Sequence, residues 1–228
     1  MQNQIFAIAV DGPAGAGKST IARLAAERLG FIYVDTGAMY RAIALFCLRQ
    51  GIRPEDEKEV SSGIAEAQIT IRHQNGTQRV LLNGEDVSGQ IRTEEVGKTA
   101  SAVSAYPAVR AHLLGLQRGL AASASVIMDG RDIGTCVLPK AQAKIFLTAS
   151  PKVRAMRRFK ELKEKGEMCN LQEIEQDIIE RDQRDKNRAI APLKQAEDAI
   201  LVDGSDMSID QVVSAIIEVA KTRGLLVR

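Results

Sequence analysis

Apolar and polar positions along this chain switch between two periods. Ile5-Phe6-Ala7-Ile8-Ala9-Val10 is an unbroken apolar run of strand length, and after a glycine-rich stretch Ile21, Leu24, Ala25 and Leu29 recur at helical spacing. Gly30 reads as a helix stop, Phe31-Ile32-Tyr33-Val34 as a second strand ending at Asp35-Thr36-Gly37, and residues from about 38 to 50 as the next helix. From about 59 to 105 the pattern changes. A helix-like piece at 60–67 gives way to Ile69-Thr70-Ile71-Arg72 and Arg79-Val80-Leu81-Leu82, set off by Asn75-Gly76 and Asn83-Gly84. Type I′ turns need positive φ at both central residues, which Asn-Gly supplies, so this stretch predicts a small antiparallel sheet inserted into the main domain. Such a sheet is too small to hold a core alone and is expected to move as a flap.

A helix from about Thr93 should be bent or interrupted near Pro107 and continue through Leu113 and Leu116. Three further apolar strands follow at 125–128, 144–148 and 199–202. Ser150 and Pro151 suit the N-cap and first position of one helix, a second runs from about 170 to 189, and Ser208 with Gln211 forms a capping box for a last one that stops near Gly224. Strands alternating with helices specify a parallel sheet covered on both faces. The expected fold is therefore a three-layer α/β/α core with a five-stranded parallel sheet, made of 1–58, 106–150 and 190–228, a β-rich insert at 59–105, and a helical lid with its flanking helices at 151–189.

Composition narrows the partners. The 228 residues carry a net charge of only +2, so no global field argues for nucleic acid or a membrane surface. No apolar run reaches membrane length, and the first strand begins too close to Met1 to leave room for a cleavable leader. Cys47, Cys136 and Cys169 are odd in number and far apart, which fits free thiols in a reducing cytoplasm. His73 and His112 have no partner at metal-ligand spacing and read as structural or exposed. Without a long heptad pattern or a spare apolar face, a monomer is expected.

The chemistry concentrates after the first strand. Gly12-Pro13-Ala14-Gly15-Ala16-Gly17-Lys18-Ser19-Thr20 matches the phosphate-loop pattern, in which glycines turn backbone N–H groups inward and a helix N-terminus adds positive charge, so a polyphosphate should bind here. Lys18 would pair with β/γ-phosphate oxygens and Ser19 would ligate Mg²⁺. Asp129, closing an apolar strand, looks like the acidic partner of such a loop, acting on the metal through water. Gly130-Arg131-Asp132 either adds a phosphate-pairing cation and a second acceptor at that edge or merely makes a turn. Arg41 can reach an anion at a strand's carboxyl end or lie exposed, and Ser101 and Arg110 can be functional or solvated. Arg154, Arg157 and Arg158 share a face of the first charged helix. Arg181, Asp185 and Arg188 align on the second, with Asp182 and Lys186 pointing elsewhere. Each helix alone could be ordinary solvated surface, but together in a phosphate-loop protein they favour a closing cationic lid.

These stretches, with Asp35-Thr36-Gly37-Ala38-Met39-Tyr40-Arg41, Asp129-Gly130-Arg131-Asp132-Ile133-Gly134, and Glu180-Arg181-Asp182 through Asp185, Arg188 and Ala191-Pro192-Leu193, resemble the bacterial cytidylate kinase family over essentially the whole chain. The resemblance implies phosphoryl transfer from ATP to CMP or dCMP, with Mg²⁺. It further implies that Thr36, Arg110 and Asp132 face cytosine, that Ser101, Arg181 and Asp185 face the pentose, and that Arg41, Arg131 and Arg188 grip the acceptor phosphate. Arg157 and Arg158 would join Arg131, Arg181 and Arg188 in neutralising the transferring group. Cytosine's N4 donor and its N3 and O2 acceptors independently call for a carboxylate and a donor, which Asp132 and Arg110 supply. Thr36 stands where the family pattern carries serine, which bears on tolerance of UMP. A kinase for another monophosphate or small acceptor is the alternative. A GTPase-type switch is disfavoured, because its guanine-reading segment needs a K-x-D that occurs nowhere in the chain.

Overall fold

The structure, a computed structural model, describes residues 5–74 and 76–226. Among the described residues, eight strands and eight α-helices follow one another in the order β1 Ala7–Asp11, α1 Lys18–Leu29, β2 Ile32–Asp35, α2 Thr36–Gln50, α3 Glu57–Gly63, β3 Ile69–Gln74, β4 Thr77–Leu82, β5 Glu85–Asp86, α4 Glu94–Val103, α5 Pro107–Ser123, β6 Val126–Gly130, β7 Ala143–Thr148, α6 Pro151–Glu164, α7 Leu171–Lys186, β8 Ile200–Asp203 and α8 Ile209–Thr222. Five strands form one sheet in the order β2-β6-β1-β7-β8, flanked by helices, and β3-β4-β5 form a second, antiparallel one. Parallel register pairs Val10 with Ile145 and Leu147 with Val202. By their contacts the described residues divide into two compact units, one of 31–126 with Ile5, the other of 6–30 with 127–226.

In the second unit the fully apolar β1 core, Ile8, Ala9 and Val10, has no exposed surface, as a strand buried on both faces requires. Ile21, Ala22 and Ala25 of α1 and Val213 and Ile216 of α8 are buried, and the two helices pack on each other. The capping box predicted at Ser208 and Gln211 is present, and Ser150 caps α6 with Pro151 at its first turn.

In the first unit α2 is the hub. Met39, Ile43, Phe46 and Cys47 are buried, and α4, α5, β3 and β4 all pack against it. The small sheet thus shares a core with α2: Val80, Leu81 and Leu82 of β4 are buried. Of the two expected Asn-Gly turns, Asn83 and Gly84 have φ of +49° and +87°. Gly76 has φ +71°, while Asn75 lies outside the described residues. The break at Pro107 is a full one, with α4 ending at Val103 and Pro107 opening α5. Unforeseen from the sequence, Ile133–Val137 forms one π-helical turn after β6.

Candidate active site

The phosphate loop follows from the end of β1. Gly12 has φ +149°, and a Cβ there would lie 1.9 Å from the Leu147 carbonyl oxygen on β7, so only glycine fits where the loop leaves the sheet. Gly15 and Gly17, at φ +74° and +89°, turn the chain into α1, whose N-terminus points its free N–H groups and partial positive charge at the loop. Lys18 is buried in the first turn and its Nζ donates to the Pro13 carbonyl at 2.7 Å. Burial, and then the Arg131 cation, push its pKa well below the usual lysine range, while Asp129 and Asp11 pull it back. Such an ammonium gains strongly from an anion brought beside it.

Ser19 Oγ donates to Asp129 Oδ2 at 2.8 Å, so the loop hydroxyl and the strand-end carboxylate meet as a pair of hard oxygen donors. Among the described residues no cluster of three or more His, Cys, Asp or Glu forms a metal cage. Two oxygen ligands fit Mg²⁺, which is held by few protein groups together with substrate phosphates and water.

Beyond β6, Arg131 Nε donates to Asp185 Oδ2 at 3.1 Å, and Arg188 Nη2 lies 2.7 Å from Asp185 Oδ1. The buried Asp185 thus sits between two guanidinium groups, hydrogen-bonded to Arg131 and ion-paired with Arg188. Arg188 lies two residues past the end of α7, so it reaches Asp185 from the turn beyond the helix, not as a further position on its face. Asp132 is buried directly before the π-helical turn. On α6, Arg157 Nη2 donates to the Gly204 carbonyl at 2.8 Å, and its Nη1 is 3.9 Å from where a Cβ on Gly17 would stand. Arg158 pairs with Glu161 on its own helix at 3.0 Å, half exposed.

One more residue departs from its expected place. Arg154, grouped by spacing with Arg157 and Arg158, is 2% exposed; its Nε donates to the Ala149 carbonyl and its Nη1 to the Ala14 carbonyl of the phosphate loop. Asp182 pairs with it, 3.0 Å from Nη1, because this side of α7 packs on α6. Neither residue is solvated surface. Periodicity alone could not find them, since a buried cation inside a run of exposed ones leaves the same letters.

In the first unit Asp35 caps α2, its Oδ1 accepting from the Ala38 N–H, and Thr36, the helix's first residue, is 2% exposed. Gln78 on β4 grips the Asp35 backbone from both sides: its Oε1 accepts from the N–H and its Nε2 donates to the carbonyl. Arg41 lies against α4, where a Cβ on Gly97 would be 2.9 Å from its Nη1. The Arg110 guanidinium lies over the Tyr40 ring, 5.8 Å from its centre, and donates to the Ser104 carbonyl. Ser101 is half-buried on α4. His73 and His112 bond the backbone carbonyls of Tyr33 and Ala67, structural roles. The three cysteines are free thiols, and no helix among the described residues is long and apolar enough to cross a membrane.

Comparison with known proteins bears on what this arrangement does. A family model described as cytidylate kinase matches residues 8–222. A Lactobacillus johnsonii protein named cytidylate kinase is 47% identical over 97% of this chain and 96% of its own length. A protein of the same name from Caldicellulosiruptor bescii is 50% identical over 92% and 93%. Among solved structures, an uncharacterized protein from Eubacterium ventriosum superposes with a TM-score of 0.51 over 96% of this chain and 99% of its own at 13% identity, a likeness of fold alone.

Proposed function

The chain belongs to the cytidylate kinase family and phosphorylates CMP with ATP as donor, and from that premise we propose how its own residues do so. The backbone of residues 12–20 holds the β- and γ-phosphates, and Lys18 neutralises them. Its depressed pKa supports this reading, because the ammonium is under-compensated by the protein and regains stabilisation from the donor anion. Ser19 would hold Mg²⁺ directly and Asp129 would hold it through water; when bound, the ion would offset phosphate charge. Arg41, Arg131 and Arg188 grip the acceptor phosphate. Asp132, Arg110 and Thr36 read cytosine, and Ser101, Arg181 and Asp185 the pentose, of either CMP or dCMP. Arg157 and Arg158, on a lid formed within 151–189, add positive charge and exclude water, which would otherwise compete as acceptor.

In the transfer a CMP phosphate oxygen forms a bond to the γ-phosphorus as the bond to the β-bridging oxygen breaks, giving CDP and ADP. The acceptor is already anionic, so no general base is needed, and rate comes from positioning and electrostatics. The proposed setting is the cytoplasm, where ATP is supplied and the thiols stay reduced, with all the groups coming from one chain acting as a monomer.

The test is ADP release from ATP against CMP, dCMP, UMP, AMP, GMP and non-nucleotide acceptors, for the native chain, Lys18→Ala and Asp132→Ala. CMP or dCMP should be the best acceptor, and Lys18→Ala should lose transfer with unchanged circular dichroism. Asp132→Ala should raise KM for CMP far more than for ATP. Near-native turnover in Lys18→Ala rules out the loop's role, and equal effects of Asp132→Ala on both nucleotides remove Asp132 from base recognition.

A further inference from the structure

We infer that Asp11 is a positioning residue of this reaction: from the end of β1 its carboxylate clamps the turn after β6 and thereby fixes the neighbouring Arg131 and Asp132. Its Oδ1 accepts the Ile133 N–H and its Oδ2 the Gly134 N–H, each at 2.7 Å. The side chain is 4% exposed. The turn's own bonds run from the N–H groups of Cys136 and Val137 to the Asp132 carbonyl and from Leu138 to Ile133, so the first two N–H groups have no partner within it. Asp11 supplies both acceptors from a different strand. The fit is close, since a Cβ on Gly134 would stand 3.3 Å from Asp11 Oδ2 and 3.1 Å from Lys144 Cδ.

A carboxylate is the group this geometry requires. It accepts at both oxygens, whereas an isosteric amide would aim its NH₂ at one of the two N–H donors. Burying that charge is unfavourable: burial, with the adjacent Asp132, pushes the Asp11 pKa up to about 6 against the two N–H bonds and the Lys18 cation. A carboxylate kept in place at that cost points to a task beyond capping one turn. Arg131 and Asp132 sit just ahead of the clamped N–H groups, and the carboxylate itself directly precedes Gly12. One rigid contact therefore ties the phosphate loop to residues assigned to the acceptor.

The inference rests on the proposed acceptor roles of Arg131 and Asp132, and its test separates the two. Asp11→Asn, Gly134→Ala, which crowds the same contact, and Asp132→Ala are compared in the full chain by KM for CMP, KM for ATP, kcat and melting temperature. With one buried N–H left unsatisfied, Asp11→Asn should raise KM for CMP about tenfold, well beyond any change in KM for ATP, and not lower the melting temperature. Gly134→Ala should show the same CMP-selective loss. An unchanged KM for CMP in Asp11→Asn, an equal rise for both nucleotides, or a loss that follows a fall in melting temperature overturns the inference. If Asp132→Ala raises KM for CMP and the other two variants do not, the inference alone fails. If Asp132→Ala also leaves it unchanged, the acceptor roles fail and the inference with them.

Discussion

Gly12 shows how tightly a single position can be specified. Its φ of +149° and the 1.9 Å approach of an added Cβ to the Leu147 carbonyl leave no rotamer by which a larger residue could escape, because the obstacle is backbone of a central strand. Gly12→Ala should destabilise the protein by more than about 4 kcal/mol, the range kept for severe steric and backbone defects. Chemical denaturation checks this, and a variant within about 1 kcal/mol of the native chain would show that β7 can yield. Gly15→Ala meets only the Arg154 side chain at 3.5 Å, though at φ +74°, so its cost should be backbone strain alone and smaller. The motif was legible because its demands are local: a loop that must fold back on itself writes glycines at fixed spacing. Asp11 carries the same signal as Asp129, a carboxylate closing an apolar strand, yet its partners lie more than 120 residues away and leave no mark beside it.

At the scale of elements, α6 and α7 are tied to each other and to the phosphate loop through one buried ion pair. Arg154 bonds Asp182 on α7, the Ala149 carbonyl before α6 and the Ala14 carbonyl of the loop. Removing one partner of a buried pair leaves an uncompensated charge, whereas replacing both with apolar groups can be nearly neutral. Arg154→Met should therefore cost about 3–5 kcal/mol, and Arg154→Met with Asp182→Leu should recover most of it. The double variant should nonetheless lose activity, because the Ala14 carbonyl loses its guanidinium donor and the loop its outer support. Full activity in a stable double variant would make the pair purely structural. Periodicity found nearly every element here and the break at Pro107, since strands, helices and caps each have a local signature. It missed the π-helical turn at Ile133–Val137, whose first N–H groups are satisfied by a distant strand. It gave no sign of the core that the small sheet shares with α2 or of the Gln78 grip on Asp35, because nothing within 69–86 announces either.

For the molecule as a whole, the same separation explains what composition hid. A net charge of +2 says nothing of Lys18, Asp11, Asp129 and Asp132, all buried, and the grouping of α2, α4 and α5 with the small sheet is set by long-range packing alone. Buried charges of this kind make stability and function pull apart, and pH exposes it. The Asp11 pKa is raised from 3.8 to about 6 by folding, so between those values the folded chain holds more protons than the unfolded one and this residue's contribution to stability falls as pH rises. Above pH 6 the full penalty is present, on the order of 3 kcal/mol at about 1.4 kcal/mol per tenfold change in proton affinity. Asp11→Asn has no charge to bury, so its advantage over the native chain should be largest at pH 7 and shrink as pH falls from 6 towards 4. Comparing the two chains at each pH removes the other carboxylates, which acidify alike in both. Urea unfolding across pH 4 to 7 measures the difference, and a gap that stays flat or widens on acidification would show that Asp11 is not buried as an unfavourable anion. Should the gap close as stated while Asp11→Asn binds CMP more weakly, the stability lost at neutral pH is the energetic cost of holding the 133–137 turn, and with it Arg131 and Asp132, in working order.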